Sequence, residues 1–336
     1  FPACPPEEVH FFRVTRGAEG ALRAAPEMEV DEAPTEPGSI IEQVSDELKA
    51  RRLAEVVRLE VEHSMPPTLT SWLAGQLCAD EREVYRSRSW LGLGDLMQVG
   101  VDDRDDLSLA RHEPVTHPRL RTITDEHPEE IFAEIRRGDL IVHHPYDSFD
   151  TSVLRLLQAA AVAPEVLAIK LTIYRTSKDS PIVRALAEAA RRGKQVAVLV
   201  EITARFDEAP NIAWGHYLEQ EGVHVAYHVE SLKTHVKLAH IVTEEGGRLR
   251  HYSHIGTGNY HTGTARIYED LGLLTCEPDI CADVAAVCNE LTGATPYSGY
   301  RRLLVAPREM RARFVELIRR EAEHPAPDGR RGFGPR

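Results

Sequence analysis

The stretch EVLAIKLTIYRTSKDSPIVRALAEAARRGKQVAVLVEI, residues 165–202, decides the fold class of this chain. Two apolar segments within it, Val166–Ile173 and Gln195–Ile202, have the length and composition of buried strands. Pro181 and Gly193 fit the first position and the C-terminal cap of a helix between them. A strand, a helix and another strand in this order predict an α/β domain with a mostly parallel or mixed sheet.

The same alternation of helices and apolar strands extends over the chain from residue 129 onward. Further strands are predicted at Leu140–His143, Val223–Val229, Val236–Thr243 and Leu249–Ile255. Further helices are predicted over residues 151–162, 210–221, 279–292 and 307–323.

The residues before position 120 are patterned differently and predict a smaller α+β domain. A loop is predicted over Ala24–Gly38, followed by a helix whose capping box pairs Ser39 with Glu42. Val56–Val61 predicts a strand and Leu69–Cys78 a short helix.

Length and composition narrow the class of protein. The chain has 336 residues with 42% hydrophobic and 28% charged residues, which is typical of a soluble protein with about two domains. No apolar run approaches the roughly 18 residues of a spanning helix, which excludes a transmembrane segment. The formal net charge of −13 disfavours a nonspecific nucleic-acid binder.

Five cysteines, an odd number, favour a reducing compartment, and we expect a cytoplasmic protein. Three of them, Cys276, Cys281 and Cys288, lie close together in the sequence. Their spacing is not that of a zinc site, so buried thiols are the favoured interpretation.

The first candidate site is H-x-K at His235 and Lys237. On a strand, alternation places both side chains on one face, where imidazole can act as a nucleophile while ammonium holds phosphate oxygens. The alternative is a solvent-facing strand edge, and the motif alone does not decide between them.

The second candidate site lies about twenty residues on, in HIGTGNYH at residues 254–261. Gly256 and Gly258 let backbone amides approach a ligand closely, and Asn259 can donate to an anion. Alone, such a segment is a common turn. Together with H-x-K it resembles the first half-site of the phospholipase D superfamily, although the aspartate usual after the lysine is absent.

Two arginines directly follow apolar strands and form a third candidate site. Arg175 and Arg205 could each clamp a phosphate with a fork-shaped guanidinium. A solvated arginine paired with Asp179 or Asp207 is the alternative for either one alone.

Segments along nearly the whole chain resemble the long bacterial polyphosphate kinases, which transfer the terminal phosphate of ATP to a growing polyphosphate chain. The segments are FFRVTR (11–16), HHPYDSF (143–149), AIKLTIYRTSKDSPIV (168–183), VLVEITARFDEAPNI (198–212), LKTHVKL (232–238), HIGTGNYH (254–261), TARIYEDLGLLT (264–275) and LLVAP (303–307).

This resemblance implies a fold class and domain limits. The fold class is α/β, a phospholipase D-like mixed sheet flanked by helices, preceded by the smaller α+β domain. Residues 1–120 would form the α+β domain, 121–305 a first catalytic domain, and 306–336 the start of another domain with a disordered tail.

The resemblance also implies roles for individual residues. His235 would be the phosphorylated nucleophile, and Arg175 and Arg205 would lie at the magnesium and phosphate site, binding Mg²⁺ through phosphate oxygens because guanidinium has no lone pair to offer. Tyr268 would lie at the ATP site. The implied cofactor is Mg²⁺, the implied partners are ATP, ADP and inorganic polyphosphate, and the implied assembly is a homo-oligomer.

Two departures from the family pattern stand beside this resemblance. His261 follows Tyr260 where the family has asparagine. The family also has an amino-terminal helical domain and a second catalytic domain with another histidine and arginine, so we expect an incomplete kinase with impaired activity. A noncatalytic polyphosphate-binding remnant is the alternative, and a phospholipase D-like phosphodiesterase a weaker one.

Overall fold

The computed structural model of the protein describes residues 8–17, 37–51, 54–99, 104–107, 109–110, 112–174, 176, 180–202, 208–227, 234–293 and 299–323. The chain divides into two compact units, Phe1–Arg111 and His112–Arg336. The domain limits expected at residues 120 and 305 stay predictions. Of the expected loop and tail, residues 24–36 and 324–336 lie outside the described residues.

The first unit contains a three-stranded sheet and two α-helices among its described residues. β1 (Phe12–Arg16) pairs antiparallel with β2 (Val56–Glu62), which pairs parallel with β3 (Val84–Ser87). The helices are α1 (Pro37–Arg51) and α2 (Pro67–Leu77). The core joins one side of β2 to α2 through Val56, Leu59, Val61, Met65, Leu73 and Ala74.

The second unit contains a seven-stranded sheet and six α-helices within its described part. In chain order its elements are α3 (Glu130–Arg136), β4 (Leu140–His144), α4 (Arg155–Val162), β5 (Val166–Ile173), α5 (Pro181–Arg191), β6 (Gln195–Val200), α6 (Glu208–Gln220), β7 (His224–Tyr227), β8 (Lys237–Glu245), β9 (Arg248–Gly256), β10 (Asp270–Thr275), α7 (Pro278–Gly293) and α8 (Met310–Glu323).

The strand order in this sheet is β4-β10-β9-β8-β5-β6-β7. β5, β6 and β7 run parallel, and the other neighbouring pairs are antiparallel. On β5, Lys170 reaches Asn289 of α7, so the buried Ile169 and Leu171 beside it face the opposite side. Helix α7 packs against β8 and β9, while α4 contacts β5 and α5 contacts β6. The predicted class, a mixed sheet flanked by helices, is confirmed.

Helix α7 packs on the centre of the sheet. Leu238 of β8 forms a buried cluster with Val284, Val287 and Cys288 of that helix. Burial raises the pKa of the Cys281 thiol to about 11 and that of Cys288 to about 12, and it also raises the pKa of the half-buried Cys276. These three cysteines are therefore thiols at neutral pH.

Several predicted bounds need correction. The first helix begins at Pro37, so Ser39 lies inside its first turn and is not the N-cap. The strand predicted from Val236 begins at Lys237, and the last helix begins at Met310. Strand β10 was not predicted, because Gly272 interrupts its apolar pattern.

None of the described helices is both long enough and apolar enough to cross a membrane.

Candidate active site

The candidate residues meet where β8, β9 and β10 come together at one end of the sheet. Lys237 pairs with Gly256 across β8 and β9, and Gly256 pairs with Gly272 across β9 and β10. The register therefore brings the H-x-K segment and the glycine segment side by side.

His235 does not share a strand face with Lys237, which corrects the sequence-based prediction. Because β8 begins at Lys237, His235 lies in the segment before the strand and is exposed, whereas Lys237 is only 3% exposed. The two side chains converge nonetheless. The Tyr174 ring lies edge-on to the His235 ring at 5.1 Å between centroids, and Lys237 Nζ lies 5.3 Å from the same Tyr174 centroid.

The electrostatics of this pair suit a nucleophile beside a cation. Partial burial, together with the charge of Lys237, lowers the pKa of His235 below its ordinary 6.5. Burial lowers the pKa of Lys237 to about 8, against the opposing effect of Asp270. At pH 7 the imidazole is therefore neutral, with a lone pair to offer, while the ammonium is still largely charged. The ammonium also donates to the His235 carbonyl.

Asp270 is a site residue that the sequence reasoning missed. Its carboxylate accepts a hydrogen bond from Thr257 Oγ1 at 2.7 Å, and Thr257 Oγ1 in turn accepts one from the Leu271 amide at 2.9 Å. Asp270 is also the acidic group that acts on the Lys237 ammonium. The only signal was its place in the segment TARIYEDLGLLT, which does not show that β10 runs beside β9.

The glycines accommodate close contacts within the protein. A Cβ at Gly258 would lie 2.5 Å from Asp270 Oδ2, and one at Gly256 would lie 2.8 Å from His254 Cε1. The Thr257 amide between them donates to the Leu271 carbonyl at 2.9 Å. The glycines thus let β9, β10 and their side chains approach each other, and their contact with a ligand stays a prediction.

His254 lies buried beneath this surface. Its Nδ1 is hydrogen-bonded to the Tyr260 hydroxyl at 2.7 Å, and burial lowers its pKa to about 3, so the ring is neutral. His254 Nε2 and Asn259 Oδ1 are buried without a hydrogen-bond partner among the described residues. Asn259 therefore keeps an unused polar atom beside the glycine segment.

Tyr268 lies on a short turn that leads into Asp270. The Tyr268 residue is 59% exposed, and its amide donates to the Thr264 carbonyl at 2.9 Å. His261 caps this turn, because its Nδ1 accepts from the Thr264 amide at 2.9 Å. An asparagine oxygen could accept the same bond.

Arg175 and Arg205 lie outside the described residues, so their place in the site stays a prediction. Arg175 directly follows Tyr174, whose ring contacts both His235 and Lys237. Arg205 follows the end of β6 on the neighbouring parallel strand.

A larger groove lies at the opposite end of β9 from Gly256. It has a volume of about 790 Å³ and runs between Leu249–His251 and the small side chains of α7 at Ala282, Ala285 and Ala286. Its surface is mainly apolar, although Glu245, Arg248, Arg250 and Glu290 also line it, and His235 and Lys237 are not part of it. We therefore take the surface around His235 and Lys237, and not this groove, as the candidate active site.

Two protein-family descriptions match this chain. "Polyphosphate kinase middle domain" matches residues 1–99, and "Polyphosphate kinase C-terminal domain 1" matches residues 130–296. The chain belongs to the polyphosphate kinase family.

Relatives of known name and structure agree with this family. The polyphosphate kinase of Mycobacterium tuberculosis strain H37Rv is 47% identical over 335 residues, which is 99% of this chain and 44% of that protein. The Streptomyces coelicolor polyphosphate kinase is 47% identical over 324 residues, which is 96% of this chain and 42% of that one.

The crystal structure of polyphosphate kinase from Porphyromonas gingivalis superposes with a TM-score of 0.68 at 34% identity, covering 79% of this chain and 40% of that one. The chain thus spans less than half the length of the polyphosphate kinases it matches.

Proposed function

We propose that this chain provides the nucleophile of a polyphosphate kinase, which transfers the γ-phosphate of ATP to inorganic polyphosphate through a phosphohistidine at His235. One observation carries the proposal: an exposed, neutral imidazole converges with a buried, charged Lys237 on the Tyr174 ring. A nucleophile next to a phosphate-binding cation is the arrangement that phosphoryl transfer requires.

The reaction proceeds in two displacements. A ring nitrogen of His235 attacks the γ-phosphorus with its lone pair, the bond to the bridging oxygen breaks, and that oxygen leaves with the electron pair as part of ADP. A terminal oxygen of polyphosphate then attacks the phosphorus of phosphohistidine. The nitrogen–phosphorus bond breaks, and its electrons return to the imidazole. The reverse sequence uses the same residues.

The charge on the transferring phosphoryl group is the main quantity to stabilise. Lys237 supplies a cation in a setting that excludes most water, where its interaction with phosphate oxygens is strengthened. Arg175 and Arg205 are proposed to bind the same phosphates, with Asn259 and the backbone at Gly256 and Gly258 beside them. The exposed Tyr268 ring is suited to stack on adenine.

Mg²⁺ is proposed to enter with ATP as part of the substrate. Among the described residues there is no group of three or more histidine, cysteine, aspartate or glutamate side chains that could hold a metal ion. Phosphate oxygens of the nucleotide would therefore provide ligands, which fits the way proteins commonly bind this ion. Such an ion would neutralise part of the negative charge of the nucleotide phosphates.

Incubation of the chain with γ-labelled ATP tests the proposal. The label should attach to the protein through a bond that is labile in acid and stable in base, and His235→Ala should remove it. A base-labile label, or one that survives in His235→Ala, would show that another residue is phosphorylated.

The same experiment separates the alternative functions. Polyphosphate binding without any label would favour a noncatalytic remnant, and hydrolysis of a phosphodiester would favour the phosphodiesterase. His216→Ala is a suitable control, because that histidine lies on α6 and pairs with Glu219 of the same helix.

A further inference from the structure

The segment that carries His235 leaves the sheet where β5 and β8 stop pairing. The last pair of this register joins Leu171 to Ala239, so Thr172 would come next opposite Leu238. At this point the Thr172 side chain provides the hydrogen bonds to the β8 backbone. Its hydroxyl donates to the Val236 carbonyl at 2.9 Å and accepts from the Leu238 amide at 3.0 Å.

Glu201 binds the backbone of the same segment nearer its start, at Thr234. This residue directly follows β6, is 2% exposed, and accepts a hydrogen bond from the Thr234 amide at 2.8 Å. Asn211 links the two sides, because its Nδ2 contacts both the Glu201 and the Tyr174 carbonyls at 2.9 Å.

These contacts satisfy main-chain groups that the departing segment would otherwise leave buried and unpaired. An unpaired buried amide or carbonyl costs free energy, so a chain cannot step out of a sheet without replacement partners. Thr172 and Glu201 provide them for Thr234, Val236 and Leu238. The outcome is the arrangement that the reaction needs, with His235 exposed and Lys237 buried.

We infer that Thr172 and Glu201 are positioning residues for the nucleophile, holding His235 outside the sheet and next to Lys237. Neither side chain needs to touch the substrate, because both act through the backbone of residues 234–238. The inference deepens the proposed function and rests on it for the role of His235.

The test uses Thr172→Val, which keeps the shape of the side chain and removes both hydrogen bonds, with Thr172→Ala as a second variant if Val perturbs folding. Thr172→Ser restores the hydroxyl. Thr275→Val is the matched control: Thr275 is also buried, donates to Asp139 at 2.6 Å and accepts from the Glu277 amide at 2.9 Å, at the other end of β10.

Two measurements are made on each variant: the rate of labelling by γ-labelled ATP at several ATP concentrations, and the NMR titration of the His235 imidazole. Displacing a reacting group by a fraction of an ångström to an ångström lowers rates strongly, so Thr172→Val should label at least about tenfold more slowly at saturating ATP. The half-saturating ATP concentration should change little. The titration midpoint of His235 should rise toward its ordinary value, because the imidazole moves away from Lys237.

Thr172→Ser should recover most of the rate, and Thr275→Val should lose stability without changing either measurement. Thr172 variants with wild-type labelling and titration would overturn the inference, as would equal effects from Thr275→Val. If the wild-type chain takes no label while Thr172→Val alone shifts the His235 titration, the proposed function fails and the positioning role stands.

Discussion

Lys237 carries an ammonium group although the residue is only 3% exposed. Its folded-state pKa is lowered from the ordinary 10.5 to about 8, so between these values the unfolded chain binds more protons than the folded one. Stability contributed by this group therefore increases as pH rises through that window. The charge that would hold phosphate is lost over the same range.

Lys237→Met should consequently raise the melting temperature at pH 7 while abolishing labelling of His235. The gain in melting temperature should shrink at pH 10, where the wild-type lysine is largely neutral. Thermal unfolding of both proteins at the two pH values measures this difference. An equal or lower melting temperature for the variant at pH 7 would mean that the contacts of Lys237 outweigh the cost of burying its charge.

A substitution at Gly272 would test how closely β9 and β10 approach each other. A Cβ at this position would lie 2.7 Å from His254 Nε2 and 3.0 Å from Val142 Cγ2. Gly272→Ala should therefore lower the free energy of unfolding by about 1–3 kcal/mol, as overpacking of a core does. Gly293→Ala is the control, since a Cβ at that position would have no neighbouring atom within 4 Å among the described residues. Equal denaturation midpoints for the two variants would show that the site relaxes freely.

At the scale of elements, Asp283 of α7 anchors the chain that connects this helix to α8. The Asp283 carboxylate is buried and accepts hydrogen bonds from the amides of Arg301, Arg302 and Leu303, at 2.7–3.1 Å. Asp283→Ala leaves these donors unpaired, so we expect a loss of roughly 2–3 kcal/mol in urea unfolding.

Asp279→Ala is the comparison for that prediction. Asp279 pairs with the exposed Arg301 side chain, and an exposed ion pair contributes about 0–1 kcal/mol. A similar loss in both variants would indicate that the connecting segment is held by its apolar contacts and not by the Asp283 carboxylate.

The sequence predicts best those elements whose burial is evident from a local run of apolar residues. The predicted bounds of β5 coincide with the observed Val166–Ile173, because a mostly apolar run followed by a helix leaves little ambiguity. β10 was missed because it is short and contains Gly272. β1 was missed because it is short, contains two arginines and is mostly exposed.

The candidate site was predictable where a motif carries it and not where the sheet order creates it. His235 and Lys237 stand two residues apart, so their association needs no tertiary information. Asp270 and Tyr174 join them only because β10 lies beside β9 and β5 lies beside β8. The place of Thr172 depends on where one strand pair ends, which a local pattern does not record.

At the scale of the whole molecule, the chain spans less than half the length of its polyphosphate kinase relatives. The family resemblance implies that a second histidine and arginine come from another domain. Because one cationic group can change the rate of phosphoryl transfer by several orders of magnitude, polyphosphate synthesis by these 336 residues alone should be near background.

Adding the second catalytic domain of a close relative, fused or as a separate chain, should raise synthesis. The measurement is the amount of polyphosphate formed per mole of this chain. The control is the His235→Ala chain with the same added domain. Robust turnover by the 336-residue chain alone would show that residues on this chain complete the reaction.

The hairpin of β8 and β9 sets an order of assembly. Its turn lies at Gly246 and Gly247, both with positive φ, at 58° and 74°, as a tight two-residue turn between twisted strands requires. A hairpin closes most readily near its turn, where the loop is shortest. Lys237 and Gly256 form the ninth and farthest pair from that turn. When pairing starts at the turn, the other eight pairs of β8 and β9 form before Lys237 reaches Gly256. A partly paired hairpin therefore contains the start of the sheet but not the assembled phosphate site.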